Sequence, residues 1–313
     1  LVRGKIVFDM ALSGDVVIAK NARTPLYNFA ATVDDHEMRI THVIRGEDHI
    51  ANTPKQLLFQ EALGFPHPHY AHLPLLLDAK RAKLSKRDGA TNIDDYRRAG
   101  YLPHAMVNFL ALLGWHPEGN QELFTLPELV SAFSLERVQK GGAVFTVEKL
   151  DWLNGQYLTA MDPQEILKLL VSDFGVKPNG LDEEQLAALV TLVRGRMKKL
   201  SEFLALTDFF FALPEYSGDL LLWKQMPREK ALQNLASAHT LLEVLHPVQW
   251  KREYLDRTFQ PLTTVEGKGE VLWPLRVALS GKDVSPGPFE IMEILGKTET
   301  MSRIKHAMEK LGK

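Results

Sequence analysis

The sequence contains no cysteine among its 313 residues, which excludes a disulfide framework and thiolate metal sites. This composition is compatible with a reducing cytosol. No apolar run is long enough to cross a bilayer and no signal peptide is recognisable, so we expect a cytoplasmic protein with no membrane partner. Excess charge is also missing, because 37 Lys and Arg against 39 Asp and Glu give a formal net charge of -2. A nucleic-acid surface would therefore have to be a local patch.

Two common catalytic motifs are absent as well. The sequence has no G-x-x-x-x-G-K-[ST] loop and no G-x-S-x-G elbow, so phosphate binding would fall to other basic residues. The best candidate is K-L-S-K-R at residues 83–87, where Lys83 and Lys86 flank Ser85. Cationic groups and a hydroxyl in one short loop suit a polyphosphate that loses pyrophosphate. Most basic pentamers, however, are solvated surface.

Histidines are concentrated in the first third of the chain. His67, His69 and His72 lie together, and His36 and His49 each follow acidic residues. A metal-dependent hydrolase could be built from such groups. The clusters lack a pair of histidines at helical i, i+4 spacing, and prolines beside the first of them indicate a turn. Loop histidines are therefore the favoured interpretation.

Arg45 leaves a predicted strand and is followed by Gly46. This places a fixed guanidinium next to a glycine, whose missing side chain leaves room for a ligand. The arrangement suits bidentate binding of a small carboxylate. A surface ion pair with Glu47 or Asp48 would explain the same pattern. Tyr27 could give a phenolic hydroxyl to the same substrate, or it could be a half-buried core residue.

Strand and helix signals alternate through residue 92. Residues 15–19, 40–44 and 72–77 have the composition of strands, and a helix is expected from Thr53 to the glycine at position 64. This order predicts half of an open α/β sheet, whose ligands bind beyond the carboxyl ends of the strands.

From about residue 93 the strand signals fade and helical signals replace them. Helices are expected at residues 96–100, 103–114, 125–133, 182–206, 227–245, 288–295 and 300–311, with another beginning at Asp162. Thr125 and Glu128 have the spacing of a capping box at the start of one of them. We expect the joint between the two halves near residues 158–163.

Several segments, in order along the chain, resemble the bacterial glutamyl-tRNA synthetases. They include P-L-Y-N-F-A at residues 25–30, V-D-D-H at 33–36 and I-T-H-V-I-R-G-E-D-H at 40–49. The lysine segment at residues 83–87 resembles this family's form of the class I KMSKS motif. P-L-R-V-A-L-S-G at residues 274–281 continues the match near the C-terminus.

The resemblance implies an α/β fold, the second half of a Rossmann-type catalytic domain, at residues 1–92. A stem-contact domain at 93–161 and an all-helical anticodon-binding domain at 162–313 would follow. The family's H-x-G-H motif and first Rossmann half would precede Leu1. We therefore expect roughly the C-terminal two-thirds of such an enzyme, inactive alone but able to bind tRNA. Residues 78–82 lack the family's usual glycines, which affects the expected mobility of the loop.

The implied reaction is ATP-dependent activation of L-glutamate to glutamyl-adenylate, followed by transfer to tRNA-Glu. ATP is a substrate, and Mg²⁺ would accompany the nucleotide with no metal ligands from the protein. The resemblance assigns catalysis to Lys83, Ser85 and Lys86, ATP binding to Asp48, Leu76 and Lys86, glutamate binding to Tyr27 and Arg45, and anticodon contact to Arg276, Ser285, Pro286 and Phe289. Family precedent favours a monomer.

Two other classes stay open. The chain could be a module that binds tRNA without catalysis, or a metal hydrolase that uses its histidines and aspartates. The helical half excludes the short paralogue that lacks an anticodon domain. Discrimination between tRNA-Glu and tRNA-Gln would depend on contacts around residues 194–199 and Arg276, and the sequence does not decide it.

Overall fold

The structure is a computed structural model. It describes residues 1–84, 92–177 and 181–312. The chain folds into two compact units: Leu1–Arg97 with Tyr101–Leu153, and Arg98–Gly100 with Asn154–Lys313. Among the described residues, no helix combines the length and the apolar character needed to span a membrane.

Strands occur only in the first unit of the described chain and form separate pairs. Their bounds are β1 (Ala19–Asn21), β2 (Thr24–Pro25), β3 (His42–Gly46), β4 (His69–Leu73), β5 (Leu76–Leu77) and β6 (Ala143–Val144). β1 and β2 form an antiparallel hairpin, whereas β3 pairs with β4, and β5 with β6, in parallel. The strand expected at residues 15–19 is wrong except for its last residue.

The strand predicted at residues 72–77 is divided between β4 and β5, which have different partners. Pro74 has no N–H to donate to a ladder, and the Leu75 N–H donates to a carboxylate oxygen of Glu47 at 3.1 Å. The chain therefore leaves one parallel pair and enters the next within two residues.

A helical crossover joins β3 to β4. It consists of a 3₁₀ turn (Glu47–Asn52) and helix α2 (Thr53–Leu63). The sequence correctly predicts both ends of α2, since a proline lies in its first turn and Gly64 takes a left-handed conformation at its C-cap. Helix α1 (Tyr27–Glu37) packs on α2. In the β3–β4 register Arg45 lies opposite His72, so both strands end at the same edge.

The remaining helices of this region are shorter. They are α3 (Ile93–Ala99), α4 (Pro103–Leu112), α5 (Leu126–Ala132) and α6 (Val147–Ala160). The capping box of Thr125 and Glu128 is confirmed at the start of α5. A core cluster comprises Val2, Ala71, Trp115, Phe124, Leu129 and Val138.

Helices are the only regular secondary structure in the described residues of the second unit. Its longer helices are α7 (Pro163–Phe174), α8 (Glu183–Val193), α9 (Phe203–Phe211), α10 (Arg228–Glu243), α11 (Arg252–Glu266), α12 (Lys268–Ser280) and α13 (Pro288–Leu311). Gly296 has non-helical backbone angles inside α13, which confirms the break expected between residues 295 and 300.

The single helix predicted at residues 182–206 is wrong. α8 ends at Val193 and the backbone becomes extended at Met197 and Lys199 before α9 begins. The Glu202 carboxylate accepts hydrogen bonds from the Lys198 and Lys199 amides, at 2.7 and 3.4 Å, and so caps a new helical start. Apolar periodicity alone does not reveal this interruption.

Candidate functional site

Two of the predicted ATP-binding residues, Asp48 and Leu76, lie close to the predicted catalytic residue Lys83, just beyond the carboxyl ends of β3 and β4. Asp48 lies two residues after the end of β3, and its Oδ2 is 3.2 Å from Lys83 Nζ. Lys83 pairs with Leu77 in an antiparallel bridge, and the Leu84 amide donates to the Leu76 carbonyl at 2.9 Å. The structure therefore gathers Asp48, Leu76 and Lys83 into one small region.

A tight turn at residues 78–82 produces this arrangement. Asp78 Oδ1 accepts hydrogen bonds from the amides of Lys80 and Ala82, both at 2.8 Å. Arg81 has a φ of +63°, a left-handed conformation that costs a residue with a side chain about 1–2 kcal/mol. The side chain of Asp78 thus holds a turn that lacks the family's glycines, and the turn directs Lys83 back toward Asp48.

The ion pair at this edge is open to solvent. The side chains of Lys83 and Asp48 are 62% and 44% exposed. The hydrogen bond from Lys83 is the main cause that holds the pKa of Asp48 below its usual value. Exposed pairs of this kind contribute roughly 0–1 kcal/mol. A ligand could therefore separate the two side chains at little cost.

Ser85 and Lys86 lie outside the described residues. Their assignments to catalysis and ATP binding, together with the rest of the lysine segment beyond Leu84, stay predictions.

Glu47 links the end of β3 to the next strand, a role the sequence did not predict. One carboxylate oxygen accepts from the Leu75 amide, and the other pairs with Arg3. These contacts fix the start of β5 and therefore the position of Leu76. The acidic G-E-D segment after a strand is the signal that could have indicated it.

Arg45 is held by neutral side-chain oxygens. Its Nη2 donates to Thr53 Oγ1 at 2.8 Å and to Gln56 Oε1 at 2.7 Å. Its guanidinium carbon lies 5.4 Å from the centre of the Tyr70 ring. The surface ion pair considered from the sequence is not formed, because the two carboxylates that follow Arg45 pair with other cations.

Amide side chains extend this network toward the second predicted glutamate ligand. Gln56 Nε2 donates to Asn28 Oδ1 at 3.3 Å, and Asn28 Nδ2 donates to Asn52 Oδ1 at 3.5 Å. Asn52 Nδ2 lies 3.2 Å from His49 Nδ1. The ring of Tyr27 is 5.8 Å from that of His49. One polar network therefore connects the surroundings of both predicted ligands.

His72 completes the network on the β4 side. Its Nε2 lies 3.0 Å from Thr53 Oγ1. Burial, and then the nearby charge of Arg45, lower the pKa of His72. Sequence reasoning did not assign His72, Thr53 or Gln56 a role in the site. The T-P-K-Q spacing, which puts Thr53 and Gln56 on one helical face, was the available signal.

The histidine clusters do not form a metal centre in the described chain. Across residues 1–84, 92–177 and 181–312 no group of three or more His, Asp or Glu side chains could hold a metal ion. His36 stacks on Phe65 with ring centres 3.7 Å apart, and His42 lies 5.0 Å from His69.

The predicted anticodon residues divide into two environments. Arg276 Nη2 donates to the Asp283 carbonyl at 2.6 Å, and Ser285 Oγ donates to the Pro286 carbonyl at 3.1 Å. Burial, and then the charge of Arg196, lower the pKa of Arg276. Phe289 is only 8% exposed, so its ring contributes to the helical core.

Comparison with known proteins also divides the chain into two regions. Residues 1–152 match the family model described as tRNA synthetases class I (E and Q), catalytic domain, and residues 156–308 match the model described as anticodon binding domain. The chain is 38% identical to the glutamate–tRNA ligase of Moorella thermoacetica and 39% identical to that of Dehalococcoides mccartyi. These alignments cover 98% and 99% of this chain but 64% and 65% of the relatives.

Solved structures give the same result. The glutamate tRNA ligase of Elizabethkingia meningosepticum, crystallised with its amino acid, has a TM-score of 0.86 and 34% identity, covering 99% of this chain and 65% of that one. The enzyme from Elizabethkingia anophelis has a TM-score of 0.83 and 32% identity, with coverage of 98% and 64%. Residues 1–152 thus form a class I tRNA synthetase catalytic region of the glutamate and glutamine (E and Q) group, and residues 156–308 form an anticodon-binding domain.

Proposed function

We propose that this protein acts in the ATP-dependent ligation of L-glutamate to tRNA-Glu through a glutamyl-adenylate intermediate. The observation that carries the proposal is the convergence of Asp48, Leu76 and Lys83 at the carboxyl ends of the parallel strands. Nucleotides bind at this edge in open α/β folds. The names of the relatives, glutamate–tRNA ligases, support the choice of substrate. The proposal includes a monomer that acts in the cytoplasm.

Lys83 and Lys86 would neutralise the charge that develops on the departing pyrophosphate. Asp48 would exchange its ion pair with Lys83 for the ribose of ATP, and Leu76 would contact the adenine. Such an exchange is inexpensive because the pair is exposed. Ser85 would position the phosphates and would not form a covalent bond. Electrostatic contacts of this kind often change the rate by about 10²–10³.

Arg45 would bind the substrate carboxylate. Its present partners are a hydroxyl and an amide oxygen, and a carboxylate forms a stronger, charge-assisted hydrogen bond with a guanidinium. Glutamine has an amide in place of the side-chain carboxylate, so with that carboxylate as the ligand of Arg45 the site would select glutamate, since glutamine would leave the charge of Arg45 unpaired. Tyr27, whose side chain is exposed, would orient the same substrate.

Mg²⁺ would enter with the nucleotide. At this edge the described residues offer the exposed carboxylate of Asp48 as a donor. Mg²⁺ in nucleotide sites is usually held by phosphates, waters and one or two carboxylates. When bound, it would neutralise phosphate charge, and Asp48 is the nearby carboxylate that could assist.

The helical unit would bind the anticodon loop of tRNA-Glu. Arg276 and Ser285 would contact the unpaired bases, which can be read by stacking and by hydrogen bonds to their edges. Pro286 was predicted to contact them too, but it is buried and would instead shape the surface from beneath. Phe289 would support this surface from the core, since it packs against Phe259 with ring centres 5.3 Å apart.

The first test is the affinity of this chain for tRNA-Glu, tRNA-Gln and an anticodon-substituted tRNA-Glu at one salt concentration. We expect preference for the glutamate anticodon, and the tRNA-Gln value would show how strictly the protein discriminates. Equal, weak binding of all three would contradict the anticodon role.

The second test addresses adenylate formation, measured as glutamate-dependent ATP–pyrophosphate exchange. In the full-length protein, Lys86→Ala should slow exchange by about 10²–10³ while tRNA affinity changes little. Lys80→Ala, in the neighbouring turn, is the matched control and should leave exchange unaltered. A weakened tRNA affinity with normal exchange would contradict the assigned role. Hydrolytic activity that is lost with a chelator but indifferent to Lys86→Ala, with no glutamate-dependent exchange, would favour the metal hydrolase.

A further inference from the structure

Two tryptophans and two cations form a continuous stack on the helical unit, here called the tryptophan ladder: Lys224, Trp223, Trp273 and Arg276. Lys224 Nζ lies 5.1 Å from the centre of the Trp223 ring. The two indole rings are 4.9 Å apart with planes tilted by 45°. The guanidinium carbon of Arg276 lies 4.6 Å from the centre of the Trp273 ring. Each neighbouring pair is thus within the range of aromatic or cation–π attraction.

Local sequence explains how the ladder is built. Trp273 precedes Arg276 by three residues on α12, which puts the two side chains on one helical face. Trp273 Nε1 donates to the Leu220 carbonyl at 2.8 Å, which fixes the ring. Gly269 lets Trp223 approach the helix, because a Cβ there would lie 2.4 Å from Trp223 Nε1. The ladder therefore depends on specific residues of α12 and of the segment before α10.

Arg276 is the end of the ladder and is restrained from two directions. The Trp273 ring faces its guanidinium, and its Nη2 donates to the Asp283 carbonyl at 2.6 Å. Its Nε is buried without a hydrogen-bond partner among the described residues. A pre-oriented guanidinium loses little conformational entropy when it binds a ligand. A guanidinium held in one orientation presents a fixed plane and fixed donors, which suits the recognition of a flat ligand.

We propose that the tryptophan ladder holds Arg276 as a stacking platform for an unpaired base of the tRNA anticodon loop, with Trp273 as the positioning residue. This inference rests on the proposed function of the helical unit and adds residues that the resemblance did not assign. Unpaired RNA bases stack on aromatic rings and on guanidinium planes. Lys224, at the opposite end, supplies a second cation for the RNA backbone.

The test compares two RNA hairpins, one with the glutamate anticodon and one with a substituted anticodon, bound to the full chain at fixed salt. Trp273→Leu should weaken binding of the glutamate hairpin by about 5- to 100-fold, the range that base stacking spans. Because Trp273 also orients the guanidinium that would hydrogen-bond a base edge, the substituted hairpin should lose less than the glutamate hairpin, so the affinity ratio falls toward one. Trp273→Phe keeps a ring beside Arg276 and should keep most of the ratio.

A matched control comes from the first unit. Lys149 Nζ lies 4.2 Å from the Trp152 ring, which is an exposed cation–π pair of the same kind. Trp152→Leu should not change the affinity ratio. The slope of affinity against salt should also be the same in Trp273→Leu and the wild type, because no charge is removed.

A double-mutant cycle separates positioning from structural damage. If Trp273 acts through Arg276, Trp273→Leu should cause no further loss of the ratio in an Arg276→Ala background. Additive losses would overturn the inference. If Trp273→Leu does not fold, Trp223→Leu decides, because it removes the other ring: a reduced ratio supports the ladder and an unchanged one overturns it.

Different results would overturn the anticodon role and the ladder. A wild-type chain that binds both hairpins equally would overturn the anticodon role and the ladder with it. A wild-type chain that discriminates, together with a Trp273→Leu variant that discriminates equally well, would overturn the ladder alone.

Discussion

Each unit contains an arginine inside a hydrogen-bond network, and the two networks differ in kind. In the first unit Arg45 donates to side-chain oxygens of Thr53 and Gln56. In the second, Arg303 is 4% exposed, and its Nη1 donates at 2.7 Å to the main-chain carbonyls of Phe209 and Leu279. Its Nε donates to Glu299, one helical turn earlier, at 2.7 Å.

The difference separates a binding arginine from a structural one. Main-chain carbonyls at the ends of helices cannot turn away, so the partners of Arg303 are satisfied only while Arg303 is present. Side chains such as Thr53 and Gln56 can rotate and release Arg45 to a ligand. An arginine that holds helix ends together thus stabilises the fold, whereas one held by replaceable partners is available for substrate.

The largest expected effect is on stability, from Arg303→Met. This variant keeps an apolar chain of similar length but leaves two buried carbonyls without a donor. The free energy of unfolding should fall by about 3–5 kcal/mol. Denaturant unfolding followed by circular dichroism measures it. Arg303→Lys should recover part of this lost stability, since its ammonium group can reach one of the two carbonyls. A loss below about 1 kcal/mol for Arg303→Met would contradict the structural role.

The contrast also shows what sequence reasoning can and cannot find. Arg45 could be identified because it lies at the end of a predicted strand, is followed by glycine, and belongs to a segment that resembles the synthetase family. Arg303 was not, because nothing near it in sequence indicates that Phe209 and Leu279 lie beside it. Hydrogen bonds between residues far apart in the chain leave no local pattern.

The same distinction applies to the fold. The ends of α2 and the capping box of α5 are local signals, and both predictions were confirmed. The β5–β6 pairing joins Leu76 to Ala143, so it could not be found by reading along the chain. In the site, Arg45, Asp48 and Lys83 were assigned roles from the sequence, whereas Glu47 was not. The amides of Asn28 and Asn52 were not assigned roles either, because neutral polar side chains in a helix usually face solvent.

A smaller effect on stability is expected from Arg45→Met. Its partners keep other hydrogen bonds, because Gln56 also bonds Asn28 and Thr53 also donates to the His49 carbonyl. The free energy of unfolding should change by about 1 kcal/mol or less.

Glutamate binding should respond much more strongly to Arg45→Met. Calorimetric titration with glutamate measures this loss, and Arg39→Met, at an exposed arginine of the same unit, is the matched control. A large loss of stability with unchanged glutamate binding would remove the distinction between the two arginines.

The smallest expected effect is a dependence on pH confined to the first network. Burial, followed by the charge of Arg45, lowers the pKa of His72 below its ordinary value of 6.5. As pH falls through 6.5, the unfolded chain binds a proton at His72 before the folded chain does. The free energy of unfolding must therefore decrease as the pH decreases in that window. The stability that the neutral form of His72 contributes is fully present only above pH 6.5. Unfolding measured at successive pH values should show this slope in the wild type and a shallower one in His72→Gln.

His67→Gln, at an exposed position, shows how much of any change follows from removing a histidine as such. Arg45→Met should move the slope toward that of His72→Gln, because part of the shift comes from the guanidinium. Arg303→Met should lower the free energy of unfolding equally at every pH in the window, since among the described residues no histidine is bonded to Arg303 or its partners. A pH slope that changed with Arg303→Met and not with Arg45→Met would show that the network containing His72 had been assigned to the wrong arginine.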